Sequence, residues 1–534
     1  MFTFAVLIGI YSYIIFFLGV TGLLFKNLVF TISLVYIGIT ILIFRNKILN
    51  YANRAKKFID IKDKLSLILI SLILFQTLVN FIGVLGPEIS FDALWYHLTL
   101  PKIYILNHSI FHIPGNLLYY SDMPKLTEML YIPSLMFSNE ILAKLVHFSF
   151  GILILIVLYQ LSRKYLSKSL SLFVLVVFYS NLVVGWESVA AYVDLTRTFF
   201  EVIALLAFIN WTGKREIKWI IWSSVMLGFA IASKVIALES LLIFLVLFPV
   251  QIFINRESAL KQVKNMAVFT FFSILIPLPW FIFSFLNIKN PIYPFFDGRI
   301  NIGTSFALPN ILNFPKDFLN LLIYSNDPIS PIYLITLPLV IFFSIKTKKA
   351  IYIYSYSLLG FLLWYLTPRI GGGRFILPYL PVFSLLAVWS VDLLRNKFLK
   401  LFLFFIVLIV SFSSIGYRFL ANEKYIPVIL GRETKTEYLT KHLNFSFGDF
   451  YDTDGYFNSH ITKNDTVLLY GFHNLYYVDF PFVDSSWIKK GNTFDYIAIQ
   501  NSSLPERFKS WNLVYYNPVT HVKLYSMRGE EWVY

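Results

Sequence analysis

The chain predicts a polytopic α-helical membrane protein of about thirteen spans, followed by a small α/β domain. Three observations carry that fold class. Of 534 residues, 57% are hydrophobic and only 14% charged, whereas soluble domains carry about 25% charged residues. The mean hydropathy is +0.68, sustained by repeated apolar runs near the length of about 20 residues that crosses a bilayer. Lys and Arg collect in short segments between those runs, as they do in cytoplasmic loops.

The opening run, "MFTFAVLIGIYSYIIFFLGVTGLLF", lacks a basic leading region and an obvious small-residue cleavage site. It reads as a retained first span near 3–24, not as a signal peptide. Further spans are expected near 28–44, 65–85, 141–160, 169–185, 193–211, 219–233, 236–254, 266–286, 331–345, 351–367, 375–394 and 399–417. The stretch 219–254 also suits a hairpin. Arg45 to Lys64 holds seven basic residues against two acidic, so it is placed inside. The basic segments at 162–168, 214–218, 255–264, 346–349 and 395–400 fall where an alternating chain is again inside. This places a multi-pass protein in the cytoplasmic (inner) membrane, N-terminus inside and C-terminus outside. The net charge of +15 is then a topology signal with some attraction for anionic lipid headgroups, and no nucleic-acid partner follows from it. Cysteine is absent, which excludes disulfides, thiol nucleophiles and cysteine-ligated zinc.

Residues 1–417 form the expected transmembrane part and 418–534 the expected extracytoplasmic α/β domain. The tail carries strand-like runs, "TVLLYG", "DYIAIQ", "WNLVYY" and "HVKLYSM", separated by polar turns. An outer loop spans 86–140, and a second long outer connection, rich in Pro and Asn, spans 287–330. In the first loop, "FDALWYHLTLPKIYIL" and "SDMPKLTEMLYIPSLMF" read as two amphipathic helices lying on the membrane surface. Leu94, Leu98 and Ile105 share the apolar face of the first, and Pro101 ends or kinks it. Ser121 or Asp122 caps the second.

The ionisable residues gather at the same outer edge. "EISFDALWYHLTLPK" holds Glu88, Asp92, His97 and Lys102, with Trp95 and Tyr96 as rings for acceptor or sugar contact. Asp92 and Tyr96 stand four apart, on one helix face. Asp92 alone also suits a helix N-cap, His97 a packed interfacial residue, and Lys102 a snorkelling anchor. The next outer turn, "GWESVAAYVDLTRTFF", offers Glu187, Tyr192 and Asp194, with Asp194–Arg197 expected as an ion pair. "GFAIASKVIAL" places Lys234 between two apolar segments, where an ionisable residue points to function. "TPRIGGGRFILPYLP" sets Arg369 and Arg374 around three glycines whose N–H groups can form a phosphate-binding nest. A carboxylate can accept the proton of an attacking hydroxyl, and cations can stabilise a leaving phosphate. The combination suggests group transfer from a lipid-linked phosphate donor. No cofactor is required. The paired carboxylates leave a divalent cation open.

At these residues the chain resembles the GT-C superfamily of integral-membrane glycosyltransferases, most closely the branch of protein O-mannosyltransferases and lipid A aminoarabinose transferases. The resemblance rests on "FDALWYHLTLPK", "AAYVD", "GFAIASK", "PWFIFSFLNIKNPIYPFF" and "GRFILPYLP", in that order, over about residues 65–395. It implies inverting sugar transfer from a polyprenyl-phosphate donor to a lipid, glycan or protein acceptor outside. It also implies Asp92 as general base and Lys234 and Arg374 beside the donor phosphate. Lys102 and Arg369 are further phosphate candidates. Many members carry two adjacent acids in that loop, whereas Asp92 is followed by Ala93. The second carboxylate is then left to Glu88 or Asp194, with His97 as another candidate base. Two other classes fit the chain less well: a flippase or transporter for a lipid-linked glycan, which needs polar groups at the midplane, and a non-catalytic scaffold with an outer binding domain.

Overall fold

The computed structural model describes residues 1–58, 63–297, 310–325, 327–343, 350–366, 372–526 and 532–533. The chain opens with α1 (Phe2–Val20), α2 (Lys26–Phe58) and α3 (Lys64–Leu85). Asp63 starts α3 by accepting the Ser66 N–H at 3.1 Å, which satisfies one of the unpaired donors of a helix start. A single π turn, Ala93–His97, leads into α4 (Thr99–Leu106). There follow α5 (Leu126–Phe137), α6 (Glu140–Ser162), α7 (Lys168–Tyr179), α8 (Leu182–Glu187), α9 (Asp194–Lys214) and α10 (Ile217–Ser233). Lys234 breaks the chain before α11 (Leu238–Asn255), and α12 (Ala259–Leu275) and α13 (Leu278–Ile288) come next. Then come α14 (Phe314–Leu319), α15 (Ile332–Phe343), α16 (Ile351–Leu366), α17 (Gly373–Ile376), α18 (Leu380–Asp392) and α19 (Lys397–Asn422).

The protein is a multi-pass membrane protein. Among the described residues eight helices are long and apolar enough to cross a bilayer, or nine if α12 and α13, bent by 58°, form one broken span. Each of the thirteen expected segments falls on helix, but several, such as α7, α10 and α16, are shorter apolar helices. The basic segment at 346–349 lies outside the described residues. Residues 219–254 form two separate helices, not one continuous element.

Helix α9 is buried on every side from Asp194 to Phe208 and packs between α10 and α6. A helix apolar all round belongs inside. By contrast α19 leaves Phe398, Leu401, Phe405, Ile409 and Phe412 bare. So large an exposed apolar stripe is stable only against a non-aqueous surround.

The first loop departs from the expected pair of surface helices. α5 is enclosed, not lying free: Leu126, Met129, Tyr131, Ile132 and Met136 are all buried, and it packs on α1, α4 and α6. Its N-cap is Lys125, with no side-chain cap. Ser121 and Asp122 sit earlier, in a short 3-10 turn, where Asp122 takes a hydrogen bond with His112 Nδ1 at 2.7 Å. Pro101 does not end α4 but lies in its first turn, where a missing N–H costs little.

Beyond α19 the short helices α20 (Ile426–Ile429), α21 (Lys435–His442) and α22 (Tyr456–His460) lead to the strands. These are β1 (Val467–Tyr470), β2 (Phe482–Asp484), β3 (Thr493–Phe494), β4 (Tyr496–Ile499), β5 (Asn512–Tyr516), β6 (Lys523–Ser526) and β7 (Trp532–Val533). The main sheet has the order β2-β1-β4-β6-β5. β1 runs parallel to β2 and β4, with Val467 opposite Tyr496, while β4–β6 and β5–β6 are antiparallel. Successive side chains of a strand point to opposite faces. Leu468 accordingly packs with Ile497, Ile499 and Trp511 on one face, and Val467 and Leu469 with Ala498 and Leu524 on the other. The four runs expected as strands are β1, β4, β5 and β6.

The tail is fastened to the first loop. Tyr477 Oη donates to the Glu88 carbonyl at 2.8 Å, and Tyr476 N–H donates to the Leu94 carbonyl at 3.3 Å. Ala93, Leu94, Leu98, Tyr131, Tyr438 and Tyr477 share one buried cluster.

Candidate active site

Five ionisable side chains from five parts of the chain meet where α9 begins. Asp92 comes from the turn after α3, Glu187 from the last residue of α8, Asp194 from the first turn of α9, Lys234 from the break after α10, and Arg374 from α17. Arg374 is the hub. Its Nη1 lies 2.6 Å from Asp92 Oδ2 and its Nε 2.9 Å from Asp194 Oδ2. Its Nε is also 3.6 Å from Glu187 Oε1. Lys234 Nζ reaches the other oxygen, Asp194 Oδ1, at 2.7 Å. The Arg374 guanidinium lies over the Tyr192 ring, 4.5 Å from its centre, and Lys234 sits 5.1 Å from the centre of Phe375. Both stackings suit cations held in a poorly hydrated place.

Asp194 belongs with Lys234 and Arg374, not with Arg197 as the spacing suggested. Arg197 Nε instead pairs with Glu201 Oε1 at 2.6 Å, one turn deeper, and both are buried. Glu201 Oε2 is also reached by the Ser240 and Tyr356 hydroxyls. The helix geometry explains the difference: residues three apart lie on neighbouring faces, and a fork-shaped Arg takes the carboxylate that gives the straighter approach. The interior of α9 is thus not free of charge, although each charge there is paired.

Asp92 is not spent on capping. It precedes the π turn with helical backbone angles and its side chain makes no capping bond to the backbone of that turn. Its carboxylate accepts from Tyr96 Oη at 3.2 Å as well as from Arg374. Tyr192 Oη accepts the Asp92 N–H at 3.2 Å. About 16% of the Asp92 side chain stays exposed, against 1% for Asp194 and 0% for Glu187. Burial pushes the Asp92 pKa up, but the Arg374 guanidinium wins and holds it below the usual carboxylate value. Asp92 is therefore an ionised carboxylate with an opening to solvent.

The glycine run serves a different end from a phosphate nest. The Gly373 N–H donates to the Asp327 carbonyl at 3.2 Å, and the Arg374 N–H to Asp327 Oδ2 at 2.7 Å. These two amides are thus committed to Asp327, and Gly371 lies outside the described residues. Gly372 takes φ +51°, and a Cβ there would stand 2.1 Å from Asp327 Oδ1; one on Gly373 would stand 2.2 Å from the Asp327 carbonyl oxygen. Only glycine lets Asp327 come this close. Burial pushes the Asp327 pKa up to about 6. Arg369 lies outside the described residues.

Of the other expected site residues, Glu88, His97, Lys102 and Trp95 make no bond to this group, whereas Tyr96 reaches Asp92. Glu88 is fully buried, and its carboxylate accepts from the N–H groups of Ile89, Ser90 and Ala191 at 2.9, 2.8 and 2.6 Å. It straps the loop to the approach of α9 and has no free edge for a base. His97 Nδ1 bonds Glu128 Oε1 at 2.8 Å, and both are buried. Lys102 Nζ donates to the carbonyls of Tyr476 and Val478 at 2.7 and 2.8 Å and pairs with Asp479, so it ties α4 to the tail. Trp95 Nε1 is held by the Leu117 carbonyl at 2.8 Å, with the His473 ring 4.4 Å away. Tyr96 stacks on Tyr120 at 3.6 Å between ring centres.

Two positioning residues escaped the sequence reading. His147 Nδ1 lies 2.8 Å from the Ala190 carbonyl while Nε2 accepts the Leu195 N–H at 3.0 Å. That fixes the tautomer, with the proton on Nδ1, and pins the start of α9 under Asp194. Lys144 Nζ donates to the carbonyls of Gly83 and Gly86 at 2.9 and 2.8 Å and closes the end of α3. Both lie on α6, an apolar span, and an ionisable residue inside a span was the available signal. Among the described residues no three His, Asp or Glu are grouped to hold a metal ion. The charges facing the carboxylates are Lys234 and Arg374.

Comparison with known proteins bears on the fold that holds this site. Residues 64–288 match the family model for dolichyl-phosphate-mannose-protein mannosyltransferase. No curated protein sequence matches the chain. Among solved structures, ArnT from Cupriavidus metallidurans bound to undecaprenyl phosphate superposes with a TM-score of 0.57 at 11% identity, over 87% of this chain and 98% of that one. Its apo form gives 0.57 at 12% identity, over 86% and 97%. The Archaeoglobus fulgidus oligosaccharyltransferase gives 0.45 at 13% identity, over 78% and 64%. The resemblance read from the sequence holds for the fold: this chain has an ArnT-like fold over most of its length.

Proposed function

We propose that the protein is a glycosyltransferase that moves a sugar from a polyprenyl-phosphate donor to an acceptor hydroxyl on the outer face of the membrane. Asp92 is the general base, and Lys234 and Arg374 hold the donor phosphate. The observation that carries this reading is the Asp92 carboxylate set 2.6 Å from a guanidinium, both of them partly exposed, beside a lysine–aspartate pair. Base and phosphate-binding cations thus share one small site. The undecaprenyl phosphate bound to the Cupriavidus ArnT and the dolichyl-phosphate donor in the matching family's description support this class of donor.

Asp92 takes the proton of the acceptor hydroxyl as that oxygen attacks the anomeric carbon. The bond from that carbon to the phosphate oxygen breaks, and its electrons leave with the phosphate. Attack opposite the leaving group inverts the anomeric centre. Arg374 and Lys234 stabilise the charge that grows on the phosphate, a role in which preorganised cations do most of their work. Trp95, Tyr96 and Tyr192 line the approach to Asp92 and supply the acceptor side. The tail, fixed to the first loop through Tyr476, Tyr477 and Lys102, forms an outer domain over residues 418–534 that covers this side. Arg374, Lys234, Asp194 and Asp92 gather at the one end of the helices where α9 begins, which favours a one-sided enzyme over a flippase.

The test is sugar transfer by purified protein from a radiolabelled polyprenyl-phosphate sugar. Transfer by the wild type, lost in Lys234→Gln and Arg374→Gln proteins that remain folded, is the expected result. Unchanged kinetics in both variants would move the phosphate site elsewhere.

A further inference from the structure

Two half-buried cations face three carboxylates in this site, and one cation is shared. Arg374 divides its guanidinium between Asp92 at 2.6 Å and Asp194 at 2.9 Å. Asp194 has a second partner in Lys234, whereas Asp92 has only the weaker Tyr96 hydroxyl besides Arg374. Glu187 lies against the same guanidinium, yet neither of its oxygens has a hydrogen bond. The contact between base and guanidinium is thus the one that an incoming anion can replace at least cost. Asp92 is the most exposed of the three acids, and its exchange requires no fully buried charge to be stripped bare.

We propose that Arg374 is a counter-ion passed between the base and the leaving phosphate. This rests on the function proposed above. Before proton transfer Arg374 neutralises Asp92. When the acceptor proton moves onto Asp92, that carboxyl loses its charge and its hold on the guanidinium. In the same step the breaking bond leaves its electron pair on the phosphate, which turns from a singly charged diester into a monoester with a further charge to neutralise. Arg374 then turns to the phosphate. One proton moves, one bond to the anomeric carbon forms and one breaks, and the charge lost at Asp92 appears at the leaving group. Proton transfer and departure are coupled because they draw on one cation. Asp194, itself held by Lys234, keeps Arg374 in place during the exchange.

The proposal makes Asp92 a competitor of the lipid phosphate, which a base alone is not. Asn at position 92 imitates the protonated carboxyl. It should therefore bind undecaprenyl phosphate about tenfold more tightly than the wild type, the size expected for one released charge-assisted contact. Binding of undecaprenyl phosphate to detergent-purified, full-length protein measures this, with thermal unfolding as the check on folding. Glu187→Gln is the control at a neighbouring acid, because Glu187 lies 3.6 Å from the same guanidinium but makes no hydrogen bond to it. Tighter binding in Asp92→Asn, with a change under about threefold in Glu187→Gln, supports the exchange. Equal tightening in both variants, or none in Asp92→Asn, overturns it and leaves Asp92 as a plain base. A wild-type protein that binds no undecaprenyl phosphate would instead remove the donor reading itself, and the exchange with it.

Discussion

At the scale of single residues, the site rests on the fact that a buried charge needs a partner. Arg374 is surrounded by Asp92, Asp194 and Glu187, and Lys234 by Asp194. Arg374→Gln removes the charge that three acids share, so it should lose activity and also unfold at lower temperature; breaking such a buried pair costs about 3–5 kcal/mol. Lys234→Gln leaves Asp194 with Arg374 and should fold better while using the donor at least tenfold less well. Kinetics towards the lipid donor and thermal unfolding, measured on both proteins, check this order. A Lys234→Gln protein less stable than Arg374→Gln would contradict it. Asp92, Asp194, Lys234 and Arg374 were legible in the sequence because each interrupts an apolar edge. Their pairing was not. The Asp194–Arg197 spacing pointed to the wrong partner, since a contact between positions 194 and 374 leaves no trace in local sequence. Glu88 looked as free as Asp92, and only the three N–H groups that surround it tell the two apart.

At the scale of elements, the turn that carries Arg374 depends on two glycines wrapped around Asp327. A methyl group at Gly373 would push the Asp327 carbonyl away and tilt the start of α17. Gly373→Ala should therefore lower transfer more than tenfold without touching any ionisable residue, because misplacing a catalytic group by about an ångström costs on the order of 10²-fold. Wild-type rates in Gly373→Ala would show that the turn does not set Arg374. In the tail, Asp484 at the end of β2 is buried, and burial pushes its pKa up to about 6. A carboxyl with a raised folded-state pKa binds its proton more tightly folded than unfolded. The tail should lose stability as the pH rises from about 4 through 6. Asp484→Asn keeps an oxygen to accept the Ser486 N–H, seen at 2.8 Å in the wild type, and should flatten that pH dependence. Limited proteolysis across this range, on wild type and variant, reads it out, and identical profiles would contradict the assignment. The strand runs were readable because alternation within four or five residues is a local signal. The enclosure of α5 was not, because an amphipathic pattern does not say whether protein or lipid covers the apolar face.

At the scale of the whole molecule, the composition already described a membrane protein, and the order of short motifs described its fold. The number of spans was less legible. Short helices such as α7 and α16, and the bent α12–α13 pair, read as full crossings on hydropathy alone. Orientation rests on the basic loops. The chain has no cysteine, so a single cysteine in place of exposed Ser502 reports cleanly. It should react with an impermeant maleimide in intact cells, and labelling only after lysis would turn the molecule over and put Asp92 on the cytoplasmic side. The central claim remains the role of Asp92, and sugar transfer by purified Asp92→Asn protein tests it most directly. Asn keeps the shape, and the wild-type carboxylate caps no helix, so folding should survive. The base supplies about 10²- to 10⁴-fold of rate. The account predicts a folded protein that still binds the lipid phosphate and transfers sugar at least a hundredfold more slowly; near-normal transfer by that protein would contradict it.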